Sequence, residues 1–536
     1  MLSSLSVSLY RLSLLSLPLL TVGGALPAVA QDPFWPPTQY FHEEVTNLSD
    51  NAQASEKFGA ALAVGDFDGD LVPDLAIGVP EARLGTIVGG AVHVIYSNPP
   101  SALALPDQFW TQGSLPASGE IAENGDRFGS ALAAGDFNND GIDDLAVGVF
   151  GEQVSGEATA GAVHVIYGTF GVGLTATGAQ FWHQNSSGII GDSEAGDEFG
   201  RALAAGDFNR DGIDDLAVGV PGEDLEGSWP FGTTYYGAGA VEVIFGFAGL
   251  GLNGSGSQWI DENSSLQGGA IPDSAGDSDR FGDRLAACDF NGDLAADLAI
   301  AATGESGNNG SVTVLAGASS FGVTGLGAKF FSQGSGIPSL GEGFGRGLAC
   351  GRIGSDAFAD LVVGFPGAIV GSAPNAGVVM VLPGSLSGAS TTSMTTWSQD
   401  SPNIEEVAEA GDLFGEVVAV GDANGDGFDD VAITAGNEFA NRTGAVHVIF
   451  AISAGLKSSN DQLWTQNSQN VGGVLGPNQN FGAALAFGNF DQLGGKDLAI
   501  GASTDFVTLT GTTTQVNAGS VNVIYDLGYI PPIIGF

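Results

Sequence analysis

Five times in this 536-residue chain, an acidic stretch of nine puts an oxygen-bearing side chain at its first, third, fifth and ninth positions. The sets are Asp66, Asp68, Asp70 and Asp74; Asp136, Asn138, Asp140 and Asp144; Asp207, Asn209, Asp211 and Asp215; Asp289, Asn291, Asp293 and Asp297; and Asp422, Asn424, Asp426 and Asp430. In a tightly curled loop, alternate side chains point at one centre, and a backbone carbonyl at the seventh position can fill another place, as in the early part of an EF-hand loop. The carbonyls expected to do so belong to Val72, Ile142, Ile213, Ala295 and Phe428. Hard carboxylate and amide oxygens with no His or Cys among them favour Ca2+ over zinc or copper, while Mg2+ prefers fewer protein ligands and more water. An EF-hand itself is excluded. Its bidentate Glu at position twelve is replaced by Ile77, Val147, Val218, Ile300 and Ile433, and the residues after each loop read as a strand instead of a helix. Asp and Asn also cap turns without any metal, so a single such loop would decide nothing. Five in register, each with carboxylates that would otherwise repel, point to about five Ca2+ ions.

Two further loops have lost ligands. In one, Arg352 and Gly354 replace the first and third positions while Asp356 and Asp360 remain, and an Arg-to-Asp contact is expected to stand in for the ion. In the other, Leu493 removes a central ligand between Asn489, Asp491 and Asp497, and Lys496 adds positive charge. No calcium is expected in either.

Little else invites chemistry. Of the five histidines, His42, His93, His164, His183 and His447, three fall at the same place in a recurring AVHVI strand, which marks them as structural. No GxSxG stands in a strand-to-helix setting. Glycosidase-type carboxylate pairs are available among 61 acids, but loops and turns claim most of them. An enzyme is not expected. The best ligand surface is a long linker, GEDLEGSWPFGTTYYGAG, which carries Trp229, Phe231, Tyr235 and Tyr236 on one loop. Exposed aromatics there would stack on sugars or anchor a protein; the alternative is that they fold back over the strands beneath.

The elements that position these loops come from a repeat. Phe-Gly pairs begin at Phe58, Phe128, Phe199, Phe281, Phe344, Phe414 and Phe481, and each opens a unit of the same order. A unit holds four short apolar runs bounded by Gly, Asn or Asp, the pattern of four strands and the content of a propeller blade. Six units end in a segment such as Gln108-Phe109-Trp110 or Gln462-Leu463-Trp464, and the seventh lacks one. Gln39-Tyr40-Phe41, ahead of the first Phe-Gly, supplies it. The fold expected is all-β: a seven-bladed β-propeller with four antiparallel strands per blade, its ring closed by the N-terminal strand, which removes open edges. The propeller should span residues 38–525, after a signal peptide at 1–30 and a linker at 31–37, with a tail at 526–536.

Composition agrees. The 86 glycines suit many tight turns. With 61 acidic and 14 basic residues the net charge is −47, which repels phosphate backbones and excludes nucleic acid as a partner. The apolar run after Arg11 and the small residues Ala28-Val29-Ala30 read as a secretory signal cleaved near Ala30. No later stretch is long enough to span a membrane, so a secreted, periplasmic or surface-located protein is expected, and a monomer. Six Asn-X-Ser/Thr sequons, at Asn47, Asn185, Asn253, Asn263, Asn309 and Asn441, would be used only in a eukaryotic secretory route. The two cysteines, Cys288 and Cys350, align one step out of register on neighbouring blades, which favours buried free thiols over a bridge.

The succession FG, GDFNxDGxxDLAVGVP and GAVxVIYG, clearest over Asp207 to Pro221, resembles the FG-GAP repeat of integrin α subunits and related secreted proteins. The resemblance implies calcium in the loops joining strands one and two, with ligands met at the opposite end of the ring. The leg domains and membrane span of an integrin α chain have no counterpart in this sequence, so the chain looks like a freestanding propeller of the kind found in exported bacterial proteins. The function expected is adhesion to, or recognition of, a protein or glycan ligand. A calcium-hardened structural component is the main alternative, and a propeller-fold hydrolase or lyase the lesser one.

Overall fold

The computed structural model describes residues 38–45, 48–98, 102–115, 120–226, 233–439, 442–459, 461–473, 476–509 and 515–528. The expected signal peptide and linker, and the tail from 529 onward, lie outside them. Seven four-stranded antiparallel sheets form the ring. Their inner strands are Ala61–Gly65, Ala131–Gly135, Leu203–Gly206, Phe281–Cys288, Gly347–Gly351, Phe414–Gly421 and Phe481–Gly488. Each packs against the next, and the last against the first, so the cycle is complete. Among the described residues, helix is limited to short turns at Gln112–Ser114 and Glu305–Asn308.

The second strand of every blade is six residues long and buried throughout, as in Asp74–Val79, Asp144–Val149 and Asp215–Val220. A strand covered on both faces reads as a continuous apolar run instead of an alternating one, and DLAIGV and DLAVGV do so. Each fully buried Val, Leu or Ile in these strands contributes roughly 1.5–3 kcal/mol.

The Phe-Gly pairs join blade to blade. All seven Phe side chains are essentially inaccessible, and their backbone N–H groups donate to the preceding blade: Phe128 to Gly89 O at 2.9 Å, Phe281 to Ala238 O at 2.8 Å, Phe58 to Ala518 O at 2.8 Å. The glycine that follows is required by space and conformation together. Gly129 sits at φ +87°, and a Cβ there would lie 2.6 Å from Ala91 O.

The N-terminal strand closes the ring. Thr38–Phe41 pairs antiparallel with Ser520–Ile524, with Tyr40 opposite Asn522. The Tyr40 hydroxyl donates to Asp505 Oδ2 at 2.8 Å, and Phe41 enters the core beside Phe58, Val521 and Val523.

The cysteine expectation is corrected: Cys288 and Cys350 form a disulfide, with Cα atoms 6.3 Å apart. Successive side chains of a strand point to opposite faces. Two inner strands packed face to face therefore need residues of opposite parity to meet, and the one-step offset supplies that parity. Cys288 pairs with Asp297 where Gly351, not Cys350, pairs with Asp360.

Candidate functional site

The five acidic loops leave the inner strands at the end away from the Phe-Gly pairs and share one conformation. The first-position Asp curls the loop by accepting two successive N–H groups. Asp207 Oδ1 accepts from Asp211 N at 3.0 Å and its Oδ2 from Gly212 N at 2.8 Å; Asp422 repeats this with Asp426 and Gly427 at 3.0 and 2.8 Å. The fifth-position Asp accepts from the seventh-position N–H in all five, at 2.8–3.0 Å. The ninth-position Asp opens the second strand and is buried. Its Oδ2 accepts from the second-position N–H, as in Asp74 from Phe67 and Asp144 from Phe137, both at 3.0 Å. Burial pushes Asp74, Asp144 and Asp215 up to about 8, and Asp297 and Asp430 up to about 7. The charged form there calls for a cation.

The donor set fits a hard divalent ion. Oxygens of Asp66, Asp68 and Asp74 lie within 4.8 Å of one another, about the span of opposite ligands at 2.3–2.6 Å from a calcium ion. Asn138 Oδ1 and Asn209 Oδ1, at the third position of their loops, are buried and have no hydrogen-bond partner, as oxygens reserved for an ion would be. In the third-position residues of the fourth and sixth loops, Asn291 Oδ1 and Asn424 Oδ1 each accept from the fifth-position N–H at 2.9 Å.

The seventh-blade loop keeps the positive φ of the complete loops at its fourth and sixth positions, Gln492 and Gly494, whereas in the fifth-blade loop only Gly354 has a positive φ, at +139°. Asp360 still bridges Ile353 N and Gly384 N at 3.1 and 2.9 Å. The expected Arg-to-Asp contact is not made: Arg352 is exposed, and no Arg352–Asp356 ion pair occurs among the described residues. In the seventh blade Leu493 is 58 % exposed where the full loops carry an Asp.

Other candidate residues fall elsewhere. His93, His164 and His447 are buried in the third strands against the Phe of the Phe-Gly pair, with ring centroids 5.4–5.6 Å apart. Burial pushes His164 down to about 3. Trp229 and Phe231 lie outside the described residues. Tyr235 forms a bridge with Leu225, and Tyr236 is 64 % exposed.

The Phe-Gly end of the ring holds two features that the sequence reading missed. A cavity of about 610 Å3 is lined by the first residues of the inner strands and by Lys57, Arg127, Arg201, Arg284 and Arg346, five of the chain's 14 basic residues. Glu81, Asp283 and Glu416 are the acids on its wall. Arg127 and Arg201 pack on the Phe150 ring at 5.0 and 4.4 Å. Asp283, though buried, is held below its ordinary range by Arg284 and Arg280. The second feature lies between blades, where a Gln after an outer strand donates to a Glu of the next blade: Gln112 to Glu152, Gln184 to Glu223 at 2.7 Å, and Gln399 to Glu438 at 2.5 Å. The signal for both was register: the cations sit just before or after the Phe-Gly pairs, and the Gln stands two residues past the aromatic that ends an outer strand, as Gln112 follows Trp110.

Comparison with known proteins agrees with this geometry. The FG-GAP repeat model matches residues 58–95, 128–166, 199–244, 281–315 and 414–449, the five blades with complete loops. The chain is 32 % identical over 181 residues to integrin alpha pat-2 of Caenorhabditis briggsae, covering 32 % of this chain and 13 % of that protein. It is 27 % identical over 268 residues to integrin alpha-PS2 of Drosophila melanogaster, covering 48 % and 16 %. To the phosphatidylinositol-glycan-specific phospholipase D of Bos taurus it is 34 % identical over 174 residues, covering 32 % and 18 %. The chain thus spans under a fifth of the length of each of these curated relatives. On fold and sequence together, the chain is a seven-bladed β-propeller, five of whose blades match the FG-GAP repeat and part of which is similar to integrin α chains.

Proposed function

We propose that this chain is a secreted recognition propeller, held rigid by Ca2+ in its five complete loops, whose ligand meets the Phe-Gly end of the ring around the basic cavity. The observation that carries this reading is the distribution of charge. A chain of net charge −47 gathers five of its 14 cations on one cavity, where they outnumber the three acids on the same wall. Low-dielectric walls focus such a field, and guanidinium groups favour planar anions. The ligand is therefore a protein or glycan that presents carboxylates or sulfates, and Tyr235 and Tyr236 extend the contact surface. Similarity to integrin α chains supports an extracellular setting. No helix of the described residues is long and apolar enough to cross a membrane.

The test is saturation binding of the calcium-loaded protein to acidic and neutral glycans and to extracellular protein fractions. An Arg201→Glu, Arg346→Glu double variant with unchanged melting should lose at least tenfold in affinity. Equal binding by both proteins would sink the assignment of the cavity. Absence of any saturable ligand would favour a calcium-hardened structural component instead.

A further inference from the structure

At the junction of the third and fourth blades, the repeated Gln-to-Glu contact is replaced by an all-acid one. Glu262 takes the place of Gln112, Gln184 and Gln399, and faces Asp279 and Glu305 of the next blade. Oxygens of the three carboxylates lie within 4.8 Å of one another. Glu262 is 1 % exposed, and no donor group reaches its oxygens: their polar neighbour is the Asp279 carboxyl, with which they pair only when one of the two is protonated; Asp273 Oδ2 close by is also buried without a donor. The cation next in sequence, Arg280, is engaged by Glu198 at 2.9 Å and Asp283 at 3.3 Å.

An unpaired buried carboxylate is strongly unfavourable, so a cluster of them persists only when protonated or paired. Carboxyl pairs able to share one proton occur twice, Glu43 with Glu56 and Glu262 with Asp279. Three carboxylates with a fourth beside them exceed what one proton can neutralise. Opposite ligands of a calcium ion at 2.3–2.6 Å lie about 5 Å apart, and the three oxygens, all within 4.8 Å of one another, are close enough together to share one such ion. Carboxylate oxygens alone select a hard cation.

We propose that Glu262, Asp279 and Glu305 bind one divalent cation of the calcium type at the Phe-Gly end of the ring, separate from the five loops at the other end. The ion would clamp the third blade to the fourth where neighbouring junctions use a neutral amide. Glu262 and Asp279 supply buried oxygens, Glu305 closes the site from the partly exposed side, and Asp273 completes the negative surround.

The experiment counts bound Ca2+ on the full chain by equilibrium dialysis near pH 7.5, in wild type, Glu262→Gln and Glu305→Gln. The first variant restores the residue that three other junctions already carry, and the second alters a partly exposed side chain, so both should fold. Loss of one ion per chain in either variant supports the site. An unchanged count in both overturns it. Because the loops are the same in all three proteins, the difference reads this site alone: a wild-type count of one with none in the variants would retain it while removing the loop assignment.

Discussion

The two ends of the ring differ in how much they repeat. At the loop end, five blades repeat Asp at the first, fifth and ninth positions and the same curl, Asp136 accepting from Asp140 N–H and Asp422 from Asp426 N–H alike. At the Phe-Gly end, the position just after the pair is Ala60, Ser130, Arg201, Asp283, Arg346, Glu416 and Ala483, so small, basic and acidic side chains all occur there. A repeated feature reflects what every blade needs in order to stand. A varied one is free to be shaped by a partner, and the charge reversal at the axial cavity lies on the varied side.

Removing calcium should break this comparison hardest. An ion at a hundred times its Kd adds about 2.7 kcal/mol per site to folding, so chelation should lower the melting temperature by far more than any single substitution; an unmoved Tm would mean that the loops are Asx turns without ions. Next in size is deletion of residues 38–42, which leaves the last blade an open edge and should lower Tm by several degrees in the calcium-loaded protein. Smaller and more local is a paired substitution at the ninth position. Asp215→Asn in a complete loop should cost one bound ion and more stability than Asp360→Asn in the depleted fifth loop, as read by calcium titration and thermal melting of each.

The smallest effect concerns pH. Burial first, then neighbouring acids, push Glu152 and Glu223 up to about 8, and Glu438 up to about 7. The unfolded value is about 4.3. A raised folded pKa stabilises the folded state fully below the unfolded value, and that contribution is lost as pH rises toward 8. Chelated protein should therefore melt higher at pH 5.5 than at pH 8.5, with a shallower slope once calcium is present, because the ninth-position Asp residues then stay ionised. Equal slopes with and without calcium would show that the loop carboxylates hold no ion.

Much of this was readable from the residues. The Phe-Gly spacing gave the blade count, and Gln39-Tyr40-Phe41 the closing strand, because each is a local pattern repeated in register. The loops were legible for the same reason, down to the two that lack ligands. What escaped was non-local. Glu262, Asp279 and Glu305 are 17 and 26 residues apart and come from two blades, so only packing brings them together. The Arg352 expectation failed because a long, charged side chain at a loop surface gains more from water than from one exposed carboxylate. The disulfide escapes an argument from equal register, because facing strands demand opposite parity.

That Cys288–Cys350 bond gives the ring a second latch. The first, at the seventh blade, is a four-residue strand held by hydrogen bonds, and should it let go the ring would gape there. The second ties the fourth blade to the fifth across 62 residues, a loop whose closure removes about 4 kcal/mol of unfolded-state freedom on the chain-entropy model. An opened ring would therefore remain two stapled arcs, of four blades and three, that need only one seam to be resewn. The staple survives only in an oxidising milieu, so the ease with which this propeller recovers from opening depends on the redox state of its surroundings.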